Sequence, residues 1–189
     1  MLAYVFWHWP LPTISEQAYT ERLIGFHQSL RNHAFPDFHS SHIFQIEHAS
    51  WGPTNQSFFE DWYLVDTFTA LEMLNQMAVA TINKAPHDQA AQYAAGGTAG
   101  VYQLSAGNAD PTHAQVACWF GKPTGMSYTA FFSLMHPLVT EHGGALWQRQ
   151  MTLGPAPEFC WWAPASPALS DNMMGIEIPL GLVWSGKDG

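Results

Sequence analysis

Basic residues are scarce in this chain of 189 residues. Lysine and arginine together number six against fifteen acidic residues, which gives a formal net charge of −9. Binding to nucleic acid or to an anionic membrane surface requires clustered basic side chains. The basic residues are instead scattered along the chain: Arg22, Arg31, Lys84, Lys122, Arg149 and Lys187. We therefore expect neither nucleic acid nor a membrane as a partner.

Cysteine is also rare, since only Cys118 and Cys160 occur. So few thiols are typical of proteins from a reducing compartment, and we expect both to be packed in the core rather than to act as nucleophiles. No apolar run approaches the roughly 18 residues of a membrane-spanning helix, and no secretory leader is visible. The cytoplasm is therefore the expected location.

Charged residues make up only 11% of the chain, whereas aromatic residues make up 14% and hydrophobic residues 47%. Soluble domains are on average about one quarter charged, so part of this surface is expected to be covered. Either a subunit partner covers it, or the aromatic residues line a large internal cavity. We favour a homo-oligomer, in the simplest case a homodimer, because symmetric interfaces are apolar.

Hydrophobic periodicity divides the chain into two halves with similar element order. In the first half, helix patterns that begin at Ser15 and at residue 69 alternate with strand patterns at 3–9, 40–48, 58–68 and 99–107. A third helix pattern covers 87–95 and ends at Gly96–Gly97, which we interpret as a helix stop and a turn. The second half has a helix that begins at Ser127, a short segment at 166–173 in place of a second helix, and strands at 115–122, 145–153, 158–165 and 175–184.

Short stretches also match between the halves in the same order. "AYVFWHWPLP" at 3–12 corresponds to "AQVACWFGKP" at 114–123, and His27 then corresponds to His136. We infer an internal duplication, with repeats at residues 1–110 and 111–189.

This doubled β-α-β-β-α-β order resembles two ferredoxin-like units in tandem, and with them the dimeric α+β barrel superfamily with both halves on one chain. The resemblance implies an α+β fold in which the antiparallel sheets of the two repeats pack together as a barrel. It also implies small cofactor-free monooxygenases, isomerase-like enzymes and haem-binding proteins as relatives. Because it rests on element order rather than on a motif, it assigns no catalytic residue.

Alternation along the first strand separates Val5, Trp7 and Trp9 from Tyr4, Phe6 and His8. The first set is wholly apolar, so we expect it to pack on the helices. His8 would then point into the barrel, where the repeat places Trp119 opposite it. A histidine there could transfer protons or bind a ligand. The alternative is a hydrogen-bonded core histidine.

The third strand places Asp61 and Tyr63 on one face and Glu60 on the other. The first and third strands of a ferredoxin-like sheet are neighbours, so Asp61 could orient His8 or act as a base. Arg149 could hold an anionic ligand oxygen, or pair with Glu158 or Glu60 in a structural ion pair. The candidate catalytic residues are His8, Asp61 and Arg149, and the candidate ligand-binding residues are Trp7, Trp9, Tyr63 and Trp119.

The ten histidines raise the question of a metal or haem site. "HAFPDFHSSH" offers His33, Asp37, His39 and His42, but it runs from a loop into a strand, where alternation separates neighbouring side chains. Haem would need an axial ligand, for which the candidates are His87, His27 and His136. We expect no metal and no cofactor.

Two functions remain open at this stage. The first is a small-molecule-binding protein, with a cofactor-free monooxygenase-like or isomerase-like activity on an apolar or aromatic substrate. The second is a non-catalytic protein whose aromatic residues serve its core and a subunit interface. The two are distinguished by whether His8, Asp61 and Arg149 converge on a cavity that solvent can reach.

Overall fold

The computed structural model describes residues 1–151, 154–170, 173 and 175–186. The first half contains the elements β1 (Leu2–Pro10), α1 (Glu16–Asn32), β2 (Phe38–Ile46), β3 (Phe58–Val65), α2 (Phe68–Val79), α3 (Thr81–Ala91) and β4 (Ala94–Gly107). The second half follows a 3-10 helix (Pro111–His113) and contains β5 (Val116–Phe120), α4 (Tyr128–His142), β6 (Ala145–Gln150), β7 (Phe159–Ala163), β8 (Gly175–Pro179) and β9 (Gly181–Ser185).

Three helices begin at a hydroxyl side chain that caps the first turn. Ser15, Thr67 and Ser127 accept hydrogen bonds from the backbone N–H groups three residues ahead. The predicted caps Ser15 and Ser127 are therefore confirmed. Among the described residues no helix is long and apolar enough to cross a membrane.

The strands form one antiparallel sheet in the order β8-β5-β7-β6-β4-β1-β3-β2-β9. Two separate packed sheets were expected, and that expectation is wrong because the long strand β4 pairs with β1 and also with β6 of the other half. Within each half the strand order is the same, namely β4-β1-β3-β2 and β8-β5-β7-β6. The sheet is not closed, since β8 and β9 lie at its opposite edges although only Leu180 separates them in the chain.

One face of this sheet carries a cluster of aromatic side chains from both halves, which we call the inner tryptophan cluster. Its ring centroids lie close across the halves, at 5.5 Å for Trp7–Trp119 and 4.3 Å for Trp62–Trp162. Contacts between such distant strands require the sheet to curl, with this face inside. The cluster consists of Trp7, Trp62, Tyr102, Trp119, Trp147 and Trp162 from the strands and of Trp51 from the connection between β2 and β3.

The outer face of the sheet packs against the helices, and here the sequence prediction of the faces of β1 was wrong. Trp7 belongs to the inner cluster and the partly buried Trp9 packs against it. His8 lies on the helix side, because α1 and β3 offer it polar partners there. The match of residues 3–12 with 114–123 is also wrong in register, because it pairs Trp7 with Cys118, which packs with the outer residues of the second half.

The stretch around Gly96–Gly97 was predicted as a turn, but it lies inside β4. The glycines are needed because aromatic side chains of β1 lie against this strand. A Cβ at Gly97 would come within 2.6 Å of the Phe6 ring, and one at Gly96 within 2.7 Å of the Trp9 ring. Gly97 therefore leaves room for Phe6 on the helix side of the sheet, and Gly96 leaves room for Trp9 on the inner face.

Candidate functional site

A cavity of about 480 Å³ lies between the outer face of the first-half sheet and helices α1, α2 and α3. We call it the outer cavity. The sheet contributes most of its polar groups, and the helices contribute mainly leucine and alanine. Its lining comprises Tyr4, Phe6, His8, Asp61, Tyr63, Ala94 and Val101 from the sheet and Tyr19, Leu23, Phe26, Leu30, Leu71, Leu74, Asn75, Ala78, His87, Ala90 and Ala91 from the helices.

Strand pairing and helix periodicity bring the polar groups together. β1 and β3 are hydrogen-bonded neighbours, with Phe6 opposite Asp61 and His8 opposite Phe59. On α1, Tyr19 and His27 are eight residues apart, so both lie on the buried face of the helix above β1 and β3. The contact between α1 and the strands β1 and β3 therefore brings together four polar side chains, those of His8, Tyr19, His27 and Asp61.

Asp61 is the centre of this network. Its Oδ2 atom lies 3.0 Å from His8 Nε2 and 3.1 Å from His27 Nε2, and it accepts from the Tyr63 hydroxyl at 3.2 Å. Burial raises the pKa of Asp61, but the charge and hydrogen bonds of His8 and His27 lower it more, so the carboxyl pKa lies well below its usual range. Asp61 is therefore an ionised carboxylate at neutral pH.

Each histidine is held from its other ring nitrogen by a hydroxyl group. His8 Nδ1 lies 2.8 Å from the Tyr19 hydroxyl, and His27 Nδ1 lies 2.9 Å from Ser41 Oγ. In the neutral form of each ring we place the proton on Nε2, because both Nε2 atoms face a carboxylate, and each Nδ1 then accepts from its hydroxyl. The pKa of Tyr19 is raised by burial and by Asp61, so this phenol stays protonated.

Two buried polar atoms of this network have no aligned hydrogen-bond partner among the described residues. They are Asp61 Oδ1 and His8 Nε2, whose contact with Asp61 is short but poorly aligned. Buried polar atoms are nearly always satisfied in proteins, and exceptions are frequent at functional sites. His8 and Asp61 both line the outer cavity, so a molecule bound there would lie beside this pair.

The structure places three of the predicted site residues, His8, Asp61 and Tyr63, at the outer cavity. Arg149 lies in the second half, where its guanidinium donates to the carbonyls of Gly154 and Ala156 at 3.2 and 2.6 Å. The anticipated partners of Arg149, Glu158 and Glu60, are thus replaced by backbone oxygens. Trp7, Trp9 and Trp119 belong to the inner face and do not line the cavity.

Sequence reasoning missed Tyr19, Ser41 and the role of His27. The available signal was the rhythm of α1, in which Tyr19 and His27 share a face with Leu23 and Leu30. A histidine at a core position of a helix, aligned with a phenol two turns earlier, indicates a polar partner across the interface. That partner is Asp61.

Glu60 occupies the opposite face of β3, inside the inner tryptophan cluster. Its carboxylate accepts from the indole N–H groups of Trp7 and Trp62 at 2.6 and 2.5 Å. Burial raises the pKa of Glu60 to about 7, although both indole hydrogen bonds oppose this shift. Burial also raises the pKa of the Cys118 thiol to about 12, in keeping with a thiol packed in the core.

The described residues contain no group of three or more His, Cys, Asp or Glu side chains placed to hold a metal ion. Of the candidate axial haem ligands, His27 is held by Asp61 and Ser41 and His136 is 3.1 Å from Ser105 Oγ. His87 lines the outer cavity, but no lysine or arginine does so. The two carboxylates of a haem would lack a counter-charge there, so the lining does not fit this group.

Solved structures with this fold include the crystal structure of a "putative monooxygenase" from Fusobacterium nucleatum subsp. nucleatum ATCC 25586. It aligns with a TM-score of 0.67 over 100% of this chain and 94% of that chain, at 8% sequence identity. An anthrone oxidase-like protein aligns with a TM-score of 0.54 over 97% of this chain and 92% of that one, at 7% identity. No protein-family profile and no curated protein sequence matches this chain. At such low identities the similarity shows the fold alone.

Proposed function

We propose that this protein is an enzyme that binds a small apolar or aromatic molecule in the outer cavity and removes a proton from it. The observation that carries the proposal is the chain of contacts from Asp61 through His8 to Tyr19, which ends at the cavity wall. A carboxylate, an imidazole and a hydroxyl in this order form the arrangement by which hydrolases activate a nucleophile. Here the hydroxyl belongs to a phenol and serves as a proton relay.

In the proposed step, Tyr19 takes a proton from the substrate and passes its own proton to His8 Nδ1. The resulting imidazolium is stabilised by Asp61, which lies 3.0 Å from its Nε2. Tyr19 acts as a relay rather than as a phenolate, because burial raises its pKa. The ligand is apolar because leucine, alanine and aromatic side chains dominate the walls, and the volume lies within the ~300–1,000 Å³ of small-molecule sites.

Two outcomes are open to the carbanion that this step forms. It can be reprotonated at another carbon, which is an isomerisation. It can also react with dioxygen, so that a CH₂ group and O₂ give a ketone and water. The names of the structural neighbours, a putative monooxygenase and an anthrone oxidase-like protein, support the second outcome.

Anthrone is a suitable probe, since it is an apolar tricyclic ketone with an acidic CH₂ group and its enol tautomer carries a donor hydroxyl group. We expect the protein to accelerate dioxygen consumption and anthraquinone formation, and to catalyse deuterium exchange at this CH₂ group when dioxygen is excluded. Tyr19→Phe and His8→Gln are expected to lower both rates by about 10²-fold or more. His136→Gln is the matched control, because His136 lies on α4 and contacts Ser105 outside the cavity. Exchange and oxidation that both stay at the uncatalysed rate would refute the proposal.

A further inference from the structure

The residues that line the outer cavity also restrict the charge of a ligand that can bind there. We infer that it selects an uncharged aromatic molecule that donates one hydrogen bond to Asp61 Oδ1. This inference rests on the proposed function, because it concerns the same cavity, but it can be tested by binding alone.

The two oxygens of the Asp61 carboxylate differ in their contacts. Oδ2 is contacted by His8, His27 and Tyr63, whereas Oδ1 has no partner among the described residues. The Asp61 side chain is only 2% exposed, so bulk water does not solvate Oδ1. A buried carboxylate oxygen without a donor is unfavourable, and a ligand O–H or N–H group would satisfy it.

The charges around the outer cavity disfavour an anionic ligand. None of the basic side chains among the described residues lines the outer cavity. Lys84 pairs with Asp88, Arg22 lies over the Tyr93 ring at 4.6 Å, and Arg149 binds loop carbonyls in the second half. A carboxylate or phosphate in the cavity would thus approach the Asp61 charge without a lysine or arginine to pair with.

The contacts of Asp61 also disfavour a cationic ligand. Three potential donors, from His8, His27 and Tyr63, already face Oδ2, so the charge of Asp61 is compensated within the protein. A fourth, fully charged group would have to lose its hydration in an apolar cavity and compete with the two histidines. A neutral donor satisfies Oδ1 without that cost.

The walls of the cavity favour a flat ring. Tyr4, Phe6 and His8 form a stacked row on β1, with ring centroids 6.4 and 4.8 Å apart and interplanar angles of 14° and 20°. Leucine side chains of α1 and α2, among them Leu23 and Leu74, line the cavity from the helix side. Because Phe6 lies opposite Asp61 in the pairing of β1 with β3, a planar aromatic ring against this row would lie beside Asp61.

The test is a set of four naphthalene derivatives titrated calorimetrically into the wild-type protein at neutral pH. 2-Naphthol is neutral with a donor, 2-methoxynaphthalene is neutral without one, 2-naphthoate is anionic, and 2-naphthylmethylamine is cationic. We expect 2-naphthol to bind tightest and the other three to bind roughly 10- to 100-fold more weakly, the range for a lost hydrogen bond to a charged group.

Variants separate this inference from the proposed function. Tyr19→Phe is expected to lose proton transfer but to keep the preference for 2-naphthol over 2-methoxynaphthalene. Asp61→Asn is expected to reduce that preference to less than about 3-fold, and His136→Gln to leave it unchanged. The wild-type comparison remains decisive if Asp61→Asn does not fold. Equal binding of the naphthol and its methyl ether, tighter binding of either charged compound, or no binding of any of the four would overturn the inference.

Discussion

The two halves of the chain share a strand order but differ in what lies between sheet and helices. In the first half the outer face of β1 and β3 carries His8, Asp61 and Tyr63 beneath a cavity. In the second half the outer face of β5 and β7 is covered by Phe131 and other apolar side chains of α4, and the Phe131 ring lies 4.4 Å from that of Phe159. The same strand order thus supports a polar site in the first half and an apolar core in the second half.

The helix histidines of the two halves show what creates the difference. His27 contacts Asp61 and Ser41 and is completely buried, whereas His136 is only partly buried and contacts Ser105. A histidine at this place on a helix is therefore not sufficient for a site. The carboxylate on the neighbouring strand determines whether the histidine joins a charged network.

Because the two halves differ in packing between sheet and helices, we expect the loss of a phenylalanine ring to lower the free energy of unfolding by different amounts in each. Phe131→Ala should lower the free energy of unfolding by about 3–5 kcal/mol, since this side chain is fully buried among close-packed rings. Phe26→Ala should cost less, about 1–3 kcal/mol, because Phe26 already borders the outer cavity. Urea unfolding of the two variants measures both values, and equal losses would contradict the assigned difference in packing.

Part of this arrangement could be predicted from the sequence. Serine residues ahead of segments with helical apolar periodicity correctly predicted the starts of α1 and α4. The predicted pairing of the first and third strands correctly placed Asp61 near His8. Alternation also separated Trp7 from His8, but it could not tell which face meets the helices, because both faces of β1 are rich in aromatic residues. Tyr19 and His27 were missed because their partner lies on another element, and a contact across an interface leaves no local pattern.

The two faces of β3 offer a second comparison, between the adjacent carboxyls Glu60 and Asp61. Because the pKa of Glu60 is raised from 4.5 to about 7, the folded state binds its proton more tightly than the unfolded chain does. The stability that this protonation provides is present below pH 4.5 and is lost as the pH rises through about 7. The lowered pKa of Asp61 acts in the opposite direction, since its stabilisation is present above its ordinary value of 3.8 and is lost as the pH falls further.

We therefore expect Glu60→Gln to flatten the dependence of stability on pH between about 4.5 and 7. The difference in the free energy of unfolding between wild type and variant should change by roughly 2–4 kcal/mol across this pH range. Comparison with the variant removes the contributions of all other ionisable groups, which both proteins share. Parallel stability curves over this range would show that Glu60 does not titrate there.

The smallest effect concerns the glycines of β4 beneath the cavity wall. Gly97→Ala would place a Cβ 2.6 Å from the Phe6 ring and 2.9 Å from the Trp7 carbonyl oxygen. We expect a loss of about 1–3 kcal/mol in thermal or urea unfolding, because the fixed carbonyl cannot yield and the Phe6 ring must shift. Gly121→Ala is the control, since nothing lies within 4 Å of the added atom. If the two variants are equally stable, Phe6 does not pack on β4 as described.

The central claim is that the first half binds its ligand at Asp61 in the outer cavity, and a crystal structure of the protein with 2-naphthol tests it most directly. The account predicts the naphthalene ring between the aromatic row of β1 and helices α1 to α3, with its hydroxyl within about 3.2 Å of Asp61 Oδ1. A ligand bound among the inner tryptophans, in the second half, or in the cavity with its hydroxyl turned away from Asp61 would contradict it.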